Sequence, residues 1–283
     1  RDLNSAFMDP GIRAIMTTVG GDDLIRMIPH LYPDAVRADP KPFFGYSDNT
    51  NILQWLWDAG VASFHGGATQ VHFGPGPDVD SIHLNSLKAA LTGETDHRLE
   101  IGTDSEDFGF DWSDPAALTE RSPRGEALPL DFLAFDAPVT GPTWGGCLEV
   151  IDQMALAGRL PEADELDGAI LMFETSEILP PADLVGRWIR ALGERGYLHA
   201  AAGLMFARPV VADRDAPVPS HVLDARHDAY TEYLLSNIAS YRTDLPVCLG
   251  LPFGHTKPQV ILPYGGEITL DPATETVTAH FGR

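Results

Sequence analysis

Short buried apolar runs alternate with amphipathic stretches over residues 12–91, and that alternation leaves few folds open. Lys41-Pro42-Phe43-Phe44 is a proline-bounded apolar run that reads as a strand. Residues 49–59 then place Ile52, Leu53, Leu56 and Trp57 at helical spacing. Residues 12–19 read as a buried strand. Gly20-Gly21 follows, and Asp22-Asp23 leads a helix through Leu24, Ile25, Ile28 and Leu31. Residues 61–64 form another strand entering His65-Gly66-Gly67, and residues 81–91 a helix with Ile82, Leu84, Leu87 and Leu91 on one side. Strand, turn and helix in repetition predict βαβ units and a parallel sheet flanked by helices.

The pattern breaks at residues 92–136, which are rich in acidic residues, Gly and Pro, with scattered apolar residues from Phe108 to Phe132. Long excursions of this kind often carry substrate contacts. Beyond it, strands are predicted at 139–144, 166–173, 203–206, 247–249, 260–262, 266–270 and 275–281. Helices are predicted from Gly145-Gly146, after Pro180-Pro181, and over 221–240. The fold class is therefore α/β, with an N-terminal domain over 1–95, an inter-domain region over 96–138, and a strand-rich C-terminal α/β domain over 139–283.

A net charge of −22 repels phosphate backbones and anionic lipid, so nucleic-acid and membrane partners are not expected. No apolar run reaches the roughly 18–20 residues of a transmembrane helix, and residues 1–7 contain no signal-peptide core, although the first residue is not Met. Cys147 and Cys248 sit in apolar contexts outside any Cys-x-x-Cys pair and read as free thiols of a reducing, cytoplasmic compartment; one structural disulfide is the alternative.

Gly45-Tyr46-Ser47-Asp48 lies at a strand-to-helix turn, where α/β hydrolases present a nucleophilic serine, although serine at such a joint also serves as an ordinary helix cap. A serine hydrolase also needs a base, an acid that orients the base, and oxyanion donors. Glu174 and His255 each follow a buried strand, where open α/β sheets collect their sites. Glu174 with Glu177 also reads as an acidic pair leading a helix, and His65 has local credentials similar to those of His255. The glycine pair at 20–21 exposes backbone N–H groups or simply makes a tight turn. Trp112 and Trp144 are candidates to stack on a ligand or to pack the core, and Arg208 is the candidate cation for an anionic ligand. No pair with metal-ligand spacing, dinucleotide fingerprint or phosphate loop is present, so neither metal nor cofactor is expected.

An ordered set of motifs resembles the LD-carboxypeptidase family of serine peptidases (family S66), and within it the microcin C immunity branch. It comprises Asp2-Leu3-x-x-Ala6-Phe7-x-Asp9-Pro10, Ile12-Arg13-Ala14-Ile15 with Gly20-Gly21, and Pro40-Lys41-x-Phe43-x-Gly45-Tyr46-Ser47-Asp48-x-Thr50. It continues through Phe64-His65-Gly66, Gly145-Gly146-Cys147-Leu148, Phe173-Glu174-Thr175-Ser176-Glu177, Phe253-Gly254-His255-Thr256-x-Pro258-Gln259 and Leu262-Pro263-x-Gly265.

The resemblance implies Ser47 as nucleophile, His255 as base, Glu174 as orienting acid, and the Gly21 and Asp48 N–H groups as oxyanion hole. It also implies two domains, a homodimer, and a structural rather than catalytic His65. The substrate it implies is a murein tetrapeptide or a peptidyl- or aminoacyl-nucleotide. A non-catalytic binding protein on the same scaffold is the second reading. Two departures stand out. Family members usually begin with a further strand-bearing segment, so either that segment lies outside the given sequence or the first sheet here is expected to lack its first strands. Gly145-Gly146-Cys147 replaces the commoner Gly-Gly-Asn, which bears on substrate contacts.

Overall fold

The computed structural model describes residues 1–282. Two sheets share one continuous apolar core. The smaller has the strand order Ile15–Met16, Phe43–Gly45, Ser63–His65, Leu262–Tyr264. Its first three strands are parallel, as the alternation predicts, and the fourth is antiparallel. That fourth strand comes from near the end of the chain, so the sequence re-enters the first sheet after building the second. The predicted strand over 260–262 is displaced to Leu262–Tyr264.

The larger sheet has eight strands. Four central ones run parallel: Val139–Cys147, Ile170–Glu174, Gly203–Ala207 and Val247–Leu251. The last three are buried at every position, as strands covered on both faces must be. Antiparallel strands flank them. Glu267–Asp271, Thr276–His280 and His97–Arg98 extend one side, and Asp131–Leu133 closes the other. The 96–138 region thus contributes an edge strand at each end of this sheet.

Two local expectations change. The helix predicted from Asp22 is two short 3₁₀ turns, Leu24–Arg26 and Ile28–His30, followed by the helix Pro33–Ala38. Pro29 and Pro33 lack the N–H a continuous helix needs, and each ring obstructs the preceding turn. The strand expected over 12–19 pairs only at Ile15–Met16. Other elements keep their type with shifted bounds: the strand expected over 139–144 runs on through Gly145-Gly146 to Cys147, so the helix starts at Leu148, and the strand expected over 166–173 is Ile170–Glu174. Helix Thr50–Asp58 follows the Ser47 turn, and Ala182–Glu194 buries Val185, Ile189 and Leu192 along one stripe. Both cysteines are free and buried.

Gly145 illustrates how tightly the central strands pack. Its φ is +149°, and a Cβ there would lie 1.9 Å from the Met172 carbonyl oxygen. Gly145→Ala is expected to cost about 3 kcal/mol or more, combining backbone strain with overpacking. A lower denaturant midpoint at unchanged slope is the measurement that checks it.

Candidate active site

The polypeptide reaches Ser47 from a fully buried strand, Phe43–Gly45, and leaves it through a 3₁₀ turn, Ser47–Asn49, that runs into helix Thr50–Asp58. Ser47 has φ +59°, one of four non-glycine residues with positive φ among those described. A left-handed serine costs about 1–2 kcal/mol and persists only where its surroundings enforce it. Asp48 supplies much of that enforcement. Its Oδ2 accepts from the Leu24 N–H at 3.0 Å, and its Oδ1 accepts from Asn51 Nδ2 at 3.0 Å. Burial pushes the Asp48 carboxyl up, with the Leu24 and Asn51 hydrogen bonds opposing.

The bond from Leu24 folds the glycine pair over the serine. A Cβ on Gly20 would lie 3.0 Å from Ser47 Oγ, and one on Gly21 would lie 3.2 Å from Asp48 Oδ2. Any side chain at Gly20 would therefore press on the serine. The Gly21 and Asp48 N–H groups donate to no acceptor among the described residues. Two free amide donors beside a serine are what an oxyanion hole requires.

The second half of the site comes from the large sheet. Glu174 ends its strand fully buried, and its Oε2 lies 2.6 Å from His255 Nδ1, in the loop after Val247–Leu251. A carboxylate only accepts, so His255 carries a proton on Nδ1. Glu174 Oε1 is buried with no partner. Glu149 Oε1 accepts from the Ser176 N–H at 2.9 Å and its hydroxyl at 2.7 Å, fixing the turn after Glu174.

That turn brings Glu177 back over the imidazole, with its Oε2 3.3 Å from His255 Nε2. Ser47 Oγ makes no hydrogen bond to a described residue, so in this structure Nε2 faces Glu177. Burial pulls the His255 imidazole down, but the Glu174, Glu177 and Glu149 carboxylates outweigh it, and its pKa stands raised. Tyr46 joins the two halves, with its ring 5.0 Å from that of His255. Thr50 Oγ1 accepts from the Cys147 N–H at 3.2 Å and ties the serine's helix to the large sheet.

The remaining sequence candidates make no hydrogen bond, ion pair or ring contact with Ser47, Glu174 or His255 among the described residues. Trp144 is 1% exposed, packs edge-on against Tyr197 and Phe173, and donates Nε1–H to Gln54 Oε1 at 2.7 Å. It is a core residue with no face for a ligand, which corrects the stacking expectation. Trp112 is 56% exposed in the 104–126 segment and keeps its indole open to solvent. Arg208 follows the strand beside Glu174's and is 4% exposed. Its Nη2 donates to the Leu128 and Gly250 carbonyls, while Nε and Nη1 have no partner.

His65 is buried with neither ring nitrogen partnered, and burial holds it neutral with a pKa pulled down to about 3. Sequence reasoning missed Tyr46 and Glu149, and saw Glu177 only as a helix-leading acid. The available signal was adjacency to the Ser47 and Glu174 motifs.

Comparison with known proteins matches residues 1–66 to the LD-carboxypeptidase N-terminal domain and residues 140–270 to the LD-carboxypeptidase C-terminal domain. The putative carboxypeptidase YocD of Bacillus subtilis is 35% identical over 97% of this chain and 78% of its own length. The microcin C7 self-immunity protein MccF of Escherichia coli is 26% identical over 96% of this chain and 74% of its own. Among solved structures, an MccF-like protein from Streptococcus pneumoniae in complex with AMP superimposes with a TM-score of 0.84 at 24% identity, covering 100% of this chain and 82% of that one. At that identity the structural likeness establishes a shared fold.

Proposed function

The chain belongs to the LD-carboxypeptidase family, and on that footing we propose that it is a serine carboxypeptidase-type amidohydrolase working through Ser47, His255 and Glu174. The observation that carries this reading is the 2.6 Å contact between buried Glu174 and His255 Nδ1, with the His255 ring 5.0 Å from that of Tyr46, the residue before a serine held at φ +59°. Ser47 Oγ attacks the substrate carbonyl while His255 Nε2 takes its proton. Glu174 stabilises the imidazolium through Nδ1–H. The Gly21 and Asp48 N–H groups receive the developing oxyanion. His255 then protonates the leaving group, and water hydrolyses the acyl-enzyme by the reverse sequence. For the base to work, Nε2 must exchange Glu177 for Ser47, a tightening expected when substrate binds.

Two substrates fit the family: a murein tetrapeptide losing its terminal D-alanine, and a peptidyl- or aminoacyl-nucleotide. The AMP complex of the Streptococcus relative and the kinship with MccF support the second. An exposed indole would then stack on the base, and Trp112 is the candidate. Buried Arg208 is proposed to serve the anionic portion of either ligand through its unpartnered nitrogens. Family resemblance further supports a homodimer, and the free, buried Cys147 and Cys248 accord with a reducing, cytoplasmic compartment.

Mass-spectrometric assay of both substrate types tests the proposal. The wild type is expected to turn over at least one. Trp112→Ala should weaken nucleotide conjugates about tenfold or more, consistent with roughly 1–3 kcal/mol per stacked base, while sparing murein peptides. Tight binding of both with no turnover by the wild type would replace the enzyme with a receptor.

A further inference from the structure

Beside the catalytic base lies a cavity of about 70 Å3 that the Ser-His-Glu chemistry does not use. It opens between the Thr69–Phe73 turn, the start of helix Ser81–Thr92, the 106–124 segment and the loop after His255. A single water needs roughly 10–15 Å3, so a small polar group fits. Reciprocal backbone bonds fasten two of its walls together: the Glu106 N–H donates to the Lys257 carbonyl at 3.0 Å, and the Lys257 N–H to the Glu106 carbonyl at 2.8 Å.

Two imidazoles stack in its wall, His72 on His83, with centroids 4.3 Å apart and planes within 9°. Backbone groups set their tautomers. His83 Nδ1 lies 2.9 Å from the Gln259 carbonyl, which only accepts, so the proton sits on Nδ1 and Nε2 holds a bare lone pair. His83 is 1% exposed, and that Nε2 has no partner. At His72 the shorter contact to Nδ1 is the Ala68 N–H at 3.0 Å, against 3.3 Å for the Ala68 carbonyl. The His72 proton is therefore on Nε2. Burial, then His83 and Lys257, keep His72 neutral, and burial does the same for His83 against its bond to Gln259. The stack offers one N–H donor and one lone pair.

The third feature is a cation without a partner. Arg124 is paired with Asp80 at 2.8 Å and lies 3.6 Å from Glu106, and Arg121 reaches Asp78 at 4.0 Å. Lys257 Nζ makes neither an ion pair nor a hydrogen bond with a described residue. A partly buried ammonium in that state calls for an anion. Burial lowers its pKa, with Glu106 opposing.

The geometry points to a carboxylate subsite, in which the Lys257 ammonium and His72 Nε2–H donate to a substrate carboxylate while His83 Nε2 accepts from an adjacent N–H. The Tyr46 ring lies 5.7 Å from that of His72 and 5.0 Å from that of His255, so one side chain separates this subsite from the base. The assignment rests on the hydrolase reading and deepens it by naming the group recognised. In an acidic chain such a site depends on a local cation, and Lys257 is one of only three lysines. The carboxylate is either the C-terminus of a peptide or the side chain of an acidic residue joined to a nucleotide.

The test compares each substrate with its neutral counterpart: tetrapeptide acid against tetrapeptide amide, and aspartyl against asparaginyl sulfamoyl adenosine. Lys257→Met should raise KM about tenfold or more for the carboxylate-bearing member of one pair, leave kcat within about twofold, and leave the neutral member unchanged. Lys257→Arg should retain the preference. The responding pair identifies the source of the carboxylate. Equal losses across a pair, or none anywhere, would overturn the subsite.

A readout independent of turnover separates this inference from the reading beneath it. N-acetyl-D-alanine and N-acetyl-aspartate are titrated into the wild type while the His72 and His83 ring nitrogens are followed by NMR. Saturable shifts that vanish in Lys257→Met support the subsite even if nothing is hydrolysed. Hydrolysis without such shifts or preference leaves the enzyme standing and removes the subsite.

Discussion

Ser47→Ala is expected to lower kcat by roughly 10⁴–10⁶-fold while leaving substrate affinity nearly unchanged, because in the proposed mechanism nucleophile and base act as one unit. A rescuing nucleophile is not at hand. Cys147 is buried, and burial together with Glu174 and Glu149 pushes its thiol well above the ordinary range, so it stays an unreactive thiol. Ser47→Gly provides a second measurement. Alanine at φ +59° keeps the left-handed strain, whereas glycine relieves it. Both variants should be inactive, and Ser47→Gly should be the more stable by about 1 kcal/mol in denaturant unfolding. Near-normal turnover by Ser47→Ala would remove Ser47 from the chemistry. Equal stability of the two variants would mean that the Ser47 turn is not strained.

The residues legible in the sequence share one property: each sits at the end of a locally encoded strand. Phe43–Gly45, Ile170–Glu174 and Val247–Leu251 are apolar runs that end at Gly45, at Glu174 and before Pro252, so Ser47, Glu174 and His255 could be placed at or just past strand ends from local pattern. What local pattern does not carry is pairing at a distance. Leu262–Tyr264 joins the first sheet through Ser63–His65, a partner some two hundred residues earlier. Trp144 reads like a ligand-stacking indole until its N–H is seen to be used by Gln54 from the other half of the molecule.

Glu177 sits three residues after Glu174 and suggests the first turn of a helix. The helix starts only at Ala182, and the intervening turn, held by Glu149, sends the carboxylate back to the base. The Lys257 cavity was equally hidden, since its walls come from four separate stretches of chain.

Glu174 and Glu177 touch opposite nitrogens of one imidazole, and their substitutions should separate sharply. Glu174→Gln removes the charge that holds Nδ1–H and stabilises the imidazolium, and it permits the wrong tautomer. The expected loss is on the order of 10⁴-fold in kcat at every pH. Glu177→Gln leaves that support in place and removes only the carboxylate at Nε2, the atom proposed to accept the serine proton. Its effect should therefore appear on the pH axis. In the proposed mechanism only neutral His255 acts as base, so kcat/KM is expected to rise with pH through the raised His255 pKa, placing the acid limb above the ordinary value of about 6.5.

With Glu177 neutralised, one of the charges opposing burial is gone. The limb should then move to lower pH while the plateau stays within about threefold. Stability follows the same linkage. A raised pKa contributes stability that is fully present below about pH 6.5 and is lost as pH rises through the folded value, and Glu177→Gln should shrink that contribution. A plateau lowered as far by Glu177→Gln as by Glu174→Gln would show that the orienting acid has been misassigned. An unmoved acid limb would show that the Nε2 contact in this structure does not persist in the working enzyme.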